Sequence, residues 1–385
     1  VIEPSFTMGI EEEYLLVDAR SRDLIKTSPP GLVEQCAARC PGQQVSPELL
    51  RSQIEIGTRI CHNLTEARAS LTELRRSIIE VAAERGLGLV AASTHPFAKW
   101  AQQKYTEKAR YAALSQEMQV AARRLVICGM HVHIGIEDDE LRIDLMNQYS
   151  YFLPHLLALS CSSPFWDGHD TGLKSYRLTV FDAVPRTGLP ERFDSFADYE
   201  RHIRIMVDAG LIPDSTMIWW DVRPSGRYPT LETRIMDVCT NVNDALCLAA
   251  MVVCILRMLW RLRGANQRWR VYSRLLLNEN RWRAMRYSID QGLIDLGKGR
   301  IMPFAQLIEE LLELIREDAD ALGCRREIEH VRHILAHGTS AHRQIRTYKA
   351  AIDAGATVDD ALKAVVDFLI DETAVDTGAQ PVSRG

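Results

Sequence analysis

The chain is 385 residues long, 46% apolar and 25% charged, with a formal net charge of −5. That length buries a large core, as one big domain or two modest ones, and the composition is that of a globular protein, not a disordered or collagenous one. The mild acidity offers no basic field to nucleic acid, and nine cysteines without a CxxC pair exclude a structural zinc cluster and read as reduced, buried thiols.

The opening "VIEPSFT" has neither the basic start nor the apolar run of a secretory signal, so a cytoplasmic protein is expected. "MGIEEEYLLVD" reads as a strand over roughly 8–18, followed by a turn at "DARSRD". Side chains alternate across a strand, so Glu11 and Glu13 share one face and Glu12 lies on the other with Ile10, Tyr14 and Leu16. Two carboxylates at i, i+2 raise each other's pKa unless a cation sits between them; a solvated strand end is the plain alternative. "PELLRSQIEIGT" is a short helix or an extended stretch. On a helix, Glu48 and Glu55 are two turns apart on one face, able to point at one ion. Residues 64–86 form an amphipathic helix, with Leu64, Ala67, Leu71, Leu74, Ile78 and Val81 at helical spacing and Gly86 as its stop. "LGLVAAST" is a buried strand, "HPFAKW" a loop, and 106–124 a second helix.

"RLVICGMHVHIGIED" (124–138) is a strand by its β-branched content. His131 and His133 repeat the i, i+2 pattern between Gly129 and Gly135, glycines that let a ligand or another backbone come close. A hydrogen-bonded core pair is the alternative. Residues 139–160 are helical, and 160–190 are irregular, too long for an ordinary connection and too rich in Trp and Phe for disorder. "STMIWWDVRP" and "YPTLETRIMDV" form a hairpin joined at "SGR". Glu232 and Arg234 share a face there, and Asp221 and Arg223 alternate likewise on the partner strand. This is either a salt-bridge ladder or a metal-binding carboxylate beside an anion-binding arginine.

From 241 to 374 nearly everything is helical. "ALCLAAMVVCIL" (245–256) falls short of the roughly 20 residues that span a membrane, so it is a core helix and no membrane partner is expected. "TVDD" (357–360) caps the last helix, and the tail 376–385 is expected to fray. Arg281, Arg283 and Arg286 make phosphate contacts or an ion-pair network with the acidic helix 309–320. The mixed order, without βαβ alternation, favours α+β. One catalytic domain over 1–375 is expected, with its sheet in about 1–240 and a helical part in about 241–375.

Acids, histidines and arginines on strands far apart suggest Mg²⁺ or Mn²⁺, more than one ion. Without a P-loop or a GxGxxG turn, they point to phosphoryl transfer outside those folds. "GIEEEYLLVD", "THPFAKW", "GMHVHIGI", "LSCSSPFWDGHDTG", "WWDVRPS", "PTLETRIMDV" and "NENRWRAMRY" resemble, in this order and over about 5–375, the type 2 glutamate–cysteine ligases. These are bacterial carboxylate–amine ligases related in fold to glutamine synthetase. The resemblance implies an active-site funnel built on a curved, mainly antiparallel sheet packed by helices, holding ATP and two or three Mg²⁺ (or Mn²⁺) ions. By similarity Glu13, Glu48 and Glu55 surround one ion, and Glu11, His131 and Glu232 another, while Arg234 meets the transferring phosphate. The small-molecule substrates implied are ATP, glutamate and cysteine or another amine, condensed through γ-glutamyl phosphate. Arg177 is the first choice for the glutamate α-carboxylate and Arg186 the second, within a segment (160–190) suited to a lid. His95 and His133 complete the expected substrate wall; more distant members carry a non-ligating polar residue at the latter position. A phosphohydrolase, with water replacing the amine, is the competing chemistry, and a homodimer is the default for an enzyme of this size.

Overall fold

A computed structural model describes residues 2–107 and 116–384. Seven strands form its main sheet: β1 (Met8–Asp18), β2 (Gln44–Pro47), β3 (Gln53–Gly57), β4 (Leu87–Val90), β5 (Met130–Gly135), β6 (Val222–Pro224) and β7 (Thr230–Thr233). The order is β6-β7-β5-β1-β3-β2, with β4 on the far end of β1, and every pairing is antiparallel. The fold is therefore α+β, as the order of elements implies.

β1 is central because its two faces do different work. Ile10, Glu12, Tyr14 and Leu16 point into the helical side and are buried. Beneath them runs α1 (Leu64–Ala83), whose Arg75 gives Glu12 a bidentate pair at 2.7 and 2.9 Å. The same guanidinium donates to the carbonyls of Cys239 and Thr240, so an ion pair with no exposed surface has its hydrogen bonds met. The helical layer centres on α3 (Val242–Gly264), which packs against α1 and the helices Asp139–Tyr149 and Phe304–Ala321. Length and apolarity alone would let α3 cross a membrane, but most of its most apolar window is buried in these contacts, the position of a core helix.

Several local expectations change in the structure. Residues 139–160 break into Asp139–Tyr149 and Leu153–Ser160, because Pro154 lacks the amide that would continue the first helix. Glu48 and Glu55 do not share a helix: Glu55 lies on β3 opposite Ser46, and Glu48 follows the end of β2. The helix expected over 106–124 lies partly outside the described residues, and Val120–Arg123 forms a helical turn. The tail is docked instead of frayed: Ala379 and Val382 are buried, and Arg384 bonds the Asp367 carbonyl and the Asp371 carboxylate. Thr357 caps the last helix by accepting from the Asp360 amide. All nine cysteines are free and buried.

Candidate active site

The strand register writes the site in rows, since residues directly opposite in a ladder share a face. Glu232 lies opposite both His133 and Arg223. Glu11 lies opposite His131 and Gly57, and Glu13 opposite Glu55. These side chains line one cavity of about 300 Å³, joined by Glu48, Arg177 and Arg234. Nine of the eleven residues expected at the site therefore converge.

In the row nearest the β6–β7 turn, Arg223 donates from Nε to Glu232 Oε2 at 2.9 Å, and Arg234 Nη1 bonds the other oxygen. His133 Nδ1 sits 3.0 Å from Thr230 Oγ1, and its Nε2 lies 3.4 Å from Glu11 Oε1. That Nε2 is buried without a hydrogen bond among the described residues. One ligand atom each from Glu11, His133 and Glu232 lies within 4.8 Å of the others. His131 stands beside them, its Nδ1 3.3 Å from Glu11 Oε2 and 3.4 Å from Arg234 Nη1. The histidine whose atom converges with the two carboxylates is thus His133, placed by the sequence in the substrate wall. Burial raises carboxyl pKa values, yet both acids run the other way: the neighbouring His131 and His133 imidazoles hold Glu11 well below the usual range, and Arg234 and Arg223 do so for Glu232. Burial and the Arg234 charge push His131 down to about 4, so its ring is neutral at pH 7.

The row around Glu13 has the opposite imbalance. Burial and the Glu48 charge push Glu13 up to about 7, despite Arg177 and the 2.8 Å bond from the Gly129 amide. Burial, then Glu48, Glu11 and Glu13, push Glu55 well above its usual range, with Ser46 Oγ (3.2 Å) donating to it. Three facing carboxylates with too little positive charge form a donor set that a hard divalent cation satisfies.

Arg177 opens the short helix α2 (Arg177–Phe181), placed by the 160–190 segment. Its Nη1 and Nη2 donate to the carbonyls of Ile235 and Arg234 at 3.3 Å, and its Nε is buried without a partner among the described residues. Gly129 is why the guanidinium fits: a Cβ there would stand 2.4 Å from Nη2. The glycine before "MHVHIG" thus admits a side chain of the site itself. Arg234 Nε is a second buried donor without a partner among the described residues.

Two expected residues fall elsewhere. His95 is a loop brace: its Nδ1 accepts from the amides of Phe97 and Ala98 at 3.2 and 2.9 Å, and Nε2 lies 2.8 Å from the Arg22 carbonyl. Both ring nitrogens are used, and His95 does not line the cavity. Arg186 also lies outside the lining; its guanidinium packs on Trp219 and donates to the Met217 carbonyl, behind a wall of the cavity. Arg281 pairs with Asp182 and Asp221, and Arg283 and Arg286 bond backbone carbonyls, so none joins the acidic helix 309–320. Sequence reasoning left the hairpin residues Asp221, Arg223, Glu232 and Arg234 as a ladder or a metal and anion site and did not name Arg223 among the site residues; the structure sets it opposite Glu232 in the lining. Tyr228 and Trp219, also in the lining, carried no sequence signal beyond being aromatic.

The sequence pattern of glutamate–cysteine ligase family 2 matches residues 7–367. A Rhodospirillum rubrum protein provisionally named glutamate–cysteine ligase 2 is 59% identical over 386 positions, covering 100% of this chain and 99% of its own. One from Paracoccus denitrificans under the same provisional name is 52% identical, covering 96% and 98%. Among solved structures, the glutamate–cysteine ligase of Francisella tularensis in complex with AMP superposes with a TM-score of 0.66 at 12% identity, over 97% of this chain and 90% of that one. A bifunctional glutathione synthetase from Pasteurella multocida gives 0.66 at 14% identity, over 96% of this chain and 52% of its own. At those identities the likeness is one of fold.

Proposed function

Because the chain belongs to glutamate–cysteine ligase family 2, we propose that it is an ATP-dependent ligase joining the γ-carboxylate of glutamate to the amine of cysteine. The observation that carries this reading is the convergence of five glutamates, two histidines and four arginines, from strands and loops distant in sequence, on one cavity. Their chemistry fits two or three Mg²⁺ or Mn²⁺ ions: Glu13, Glu48 and Glu55 would hold one, and Glu11, Glu232 and a histidine another. When bound, such ions neutralise the triphosphate and the charge that spreads onto the γ-phosphoryl group.

The chain's own groups do the positioning. Arg177, fixed by two carbonyls, presents its free Nε to the carboxylate of the amino acid. Arg234 is anchored on Glu232 by Nη1 and offers Nε to the phosphoryl oxygens, so its contact strengthens as charge develops. The substrate γ-carboxylate oxygen bonds to the γ-phosphorus as the bond to ADP breaks, giving the acyl phosphate. The amine then bonds to the acyl carbon and phosphate leaves, the amine proton passing to solvent. Incubation with Mg²⁺, ATP and glutamate, with and without cysteine, tests this by ADP release and the mass of the product. Amine-dependent ADP release with a condensation product is the expected result; release without an amine, and no product, would make the protein a phosphohydrolase.

A further inference from the structure

The cavity has two unlike ends, and the register orders them. Thr230 lies opposite Gly135 and Glu232 opposite His133, and Arg234, two residues further on, reaches His131. Each step of two residues advances about 7 Å along the strands, from the β6–β7 turn toward Glu13 and Arg177. At the Arg177 end the guanidinium is buried against Gly129. The other end opens at the turn 225–229.

Tyr228 lines the cavity there and is 53% exposed, its ring edge-on to that of His133 with centroids 6.2 Å apart. Arg227 lines the same lip and is exposed, and its guanidinium makes no hydrogen bond or ion pair with any described residue. The turn is braced. Pro224 and Pro229 bracket it, and Gly226 packs so closely on the turn Ser215–Met217 that a Cβ would stand 2.6 Å from Ser215 Oγ. An exposed aromatic ring and a cation unpaired among the described residues thus stand together at the mouth of a cavity whose acids and arginines suit phosphoryl groups.

We propose that Tyr228 and Arg227 form the nucleoside end of the nucleotide site, with the purine base stacked on the Tyr228 ring and Arg227 paired with the phosphate nearest the base. This rests on the ATP-dependent reading above. The γ-phosphoryl group must reach Arg234 and Glu232, and Arg177 at the inner end is assigned to the amino acid, so the base falls at the exposed lip where Tyr228 and Arg227 stand. A purine face on an aromatic ring needs no edge-specific partner, and an arginine beside it suits a phosphate.

The test is calorimetric binding of ADP and of inorganic tripolyphosphate, in Mg²⁺, to wild type, Tyr228→Ala, Tyr228→Phe and Arg227→Ala. Both side chains are exposed, so the variants should fold. Tyr228→Ala should weaken ADP on the order of tenfold or more, leave tripolyphosphate within about twofold, and be restored by Tyr228→Phe. Arg227→Ala should weaken both ligands and flatten the salt dependence of binding. Equal ADP affinity in Tyr228→Ala, or an equal loss of tripolyphosphate, overturns the subsite while leaving the ligase reading standing. If wild type binds neither ligand, both fall.

Discussion

Three consecutive glutamates in one strand should answer substitution in opposite ways. Glu12 and Arg75 are both fully buried, joined at 2.7 and 2.9 Å, with Tyr14 also donating to Glu12. Glu12→Gln keeps the shape and removes the charge, which leaves a buried guanidinium without its counter-charge, held by two backbone carbonyls and the amide oxygen of the new side chain. Breaking one partner of a buried pair costs about 3–5 kcal/mol. With an unfolding entropy of about 2 cal/mol/K per residue, a chain of this length has about 0.8 kcal/mol/K at its midpoint, so Tm should fall by about 4–6 °C. Turnover should stay within about threefold, because Glu12 faces away from the cavity. Glu13→Gln removes one of the crowded carboxylates, so in EDTA its Tm should hold or rise, while turnover in Mg²⁺ drops about 100-fold or more. Thermal scans with and without EDTA, beside steady-state ADP release, separate the two. The reasoning fails if Glu12→Gln leaves Tm unmoved, or if Glu13→Gln destabilises the metal-free protein as much as Glu12→Gln does.

Arg234→Lys should cut kcat about 100-fold with a smaller change in KM, since the lost contact is made mainly in the transition state; an unchanged kcat contradicts that role. Gly129→Ala puts a Cβ 2.4 Å from Arg177 Nη2. The guanidinium is the flexible end of its side chain, so it should shift without unfolding the chain, raising KM for glutamate about tenfold and leaving KM for ATP nearly unchanged. Burial lowers His95 from its usual 6.5 to about 4. The unfolded chain therefore takes up a proton there that the folded one refuses, so stability is full above pH 6.5 and is lost as pH falls toward 4. The full difference is about 3 kcal/mol, and urea midpoints at pH 7 and 4.5 should converge more in His95→Asn than in wild type.

Local chemistry wrote much of this protein into its sequence. Alternation in "GIEEEYLLV" separates Glu12 from its neighbours, and β1 runs over the expected 8–18. The helical spacing of 64–86 reappears as α1 (Leu64–Ala83), and Glu232 and Arg234 meet as their spacing suggests. Each of these depends on a period of two or of 3.6, which a short stretch carries by itself. What only the tertiary structure decided is who stands opposite whom. Glu12 finds Arg75 across the sheet, His133 and not His131 brings its free nitrogen to Glu11 and Glu232, and Glu48 and Glu55 face Glu13 from a hairpin and not a helix. His95 and Arg186 turn to backbone carbonyls although both sit in motifs of the site. The physical reason is that strand register and the direction of a loop side chain are set by contacts tens to hundreds of residues away, which no local pattern contains.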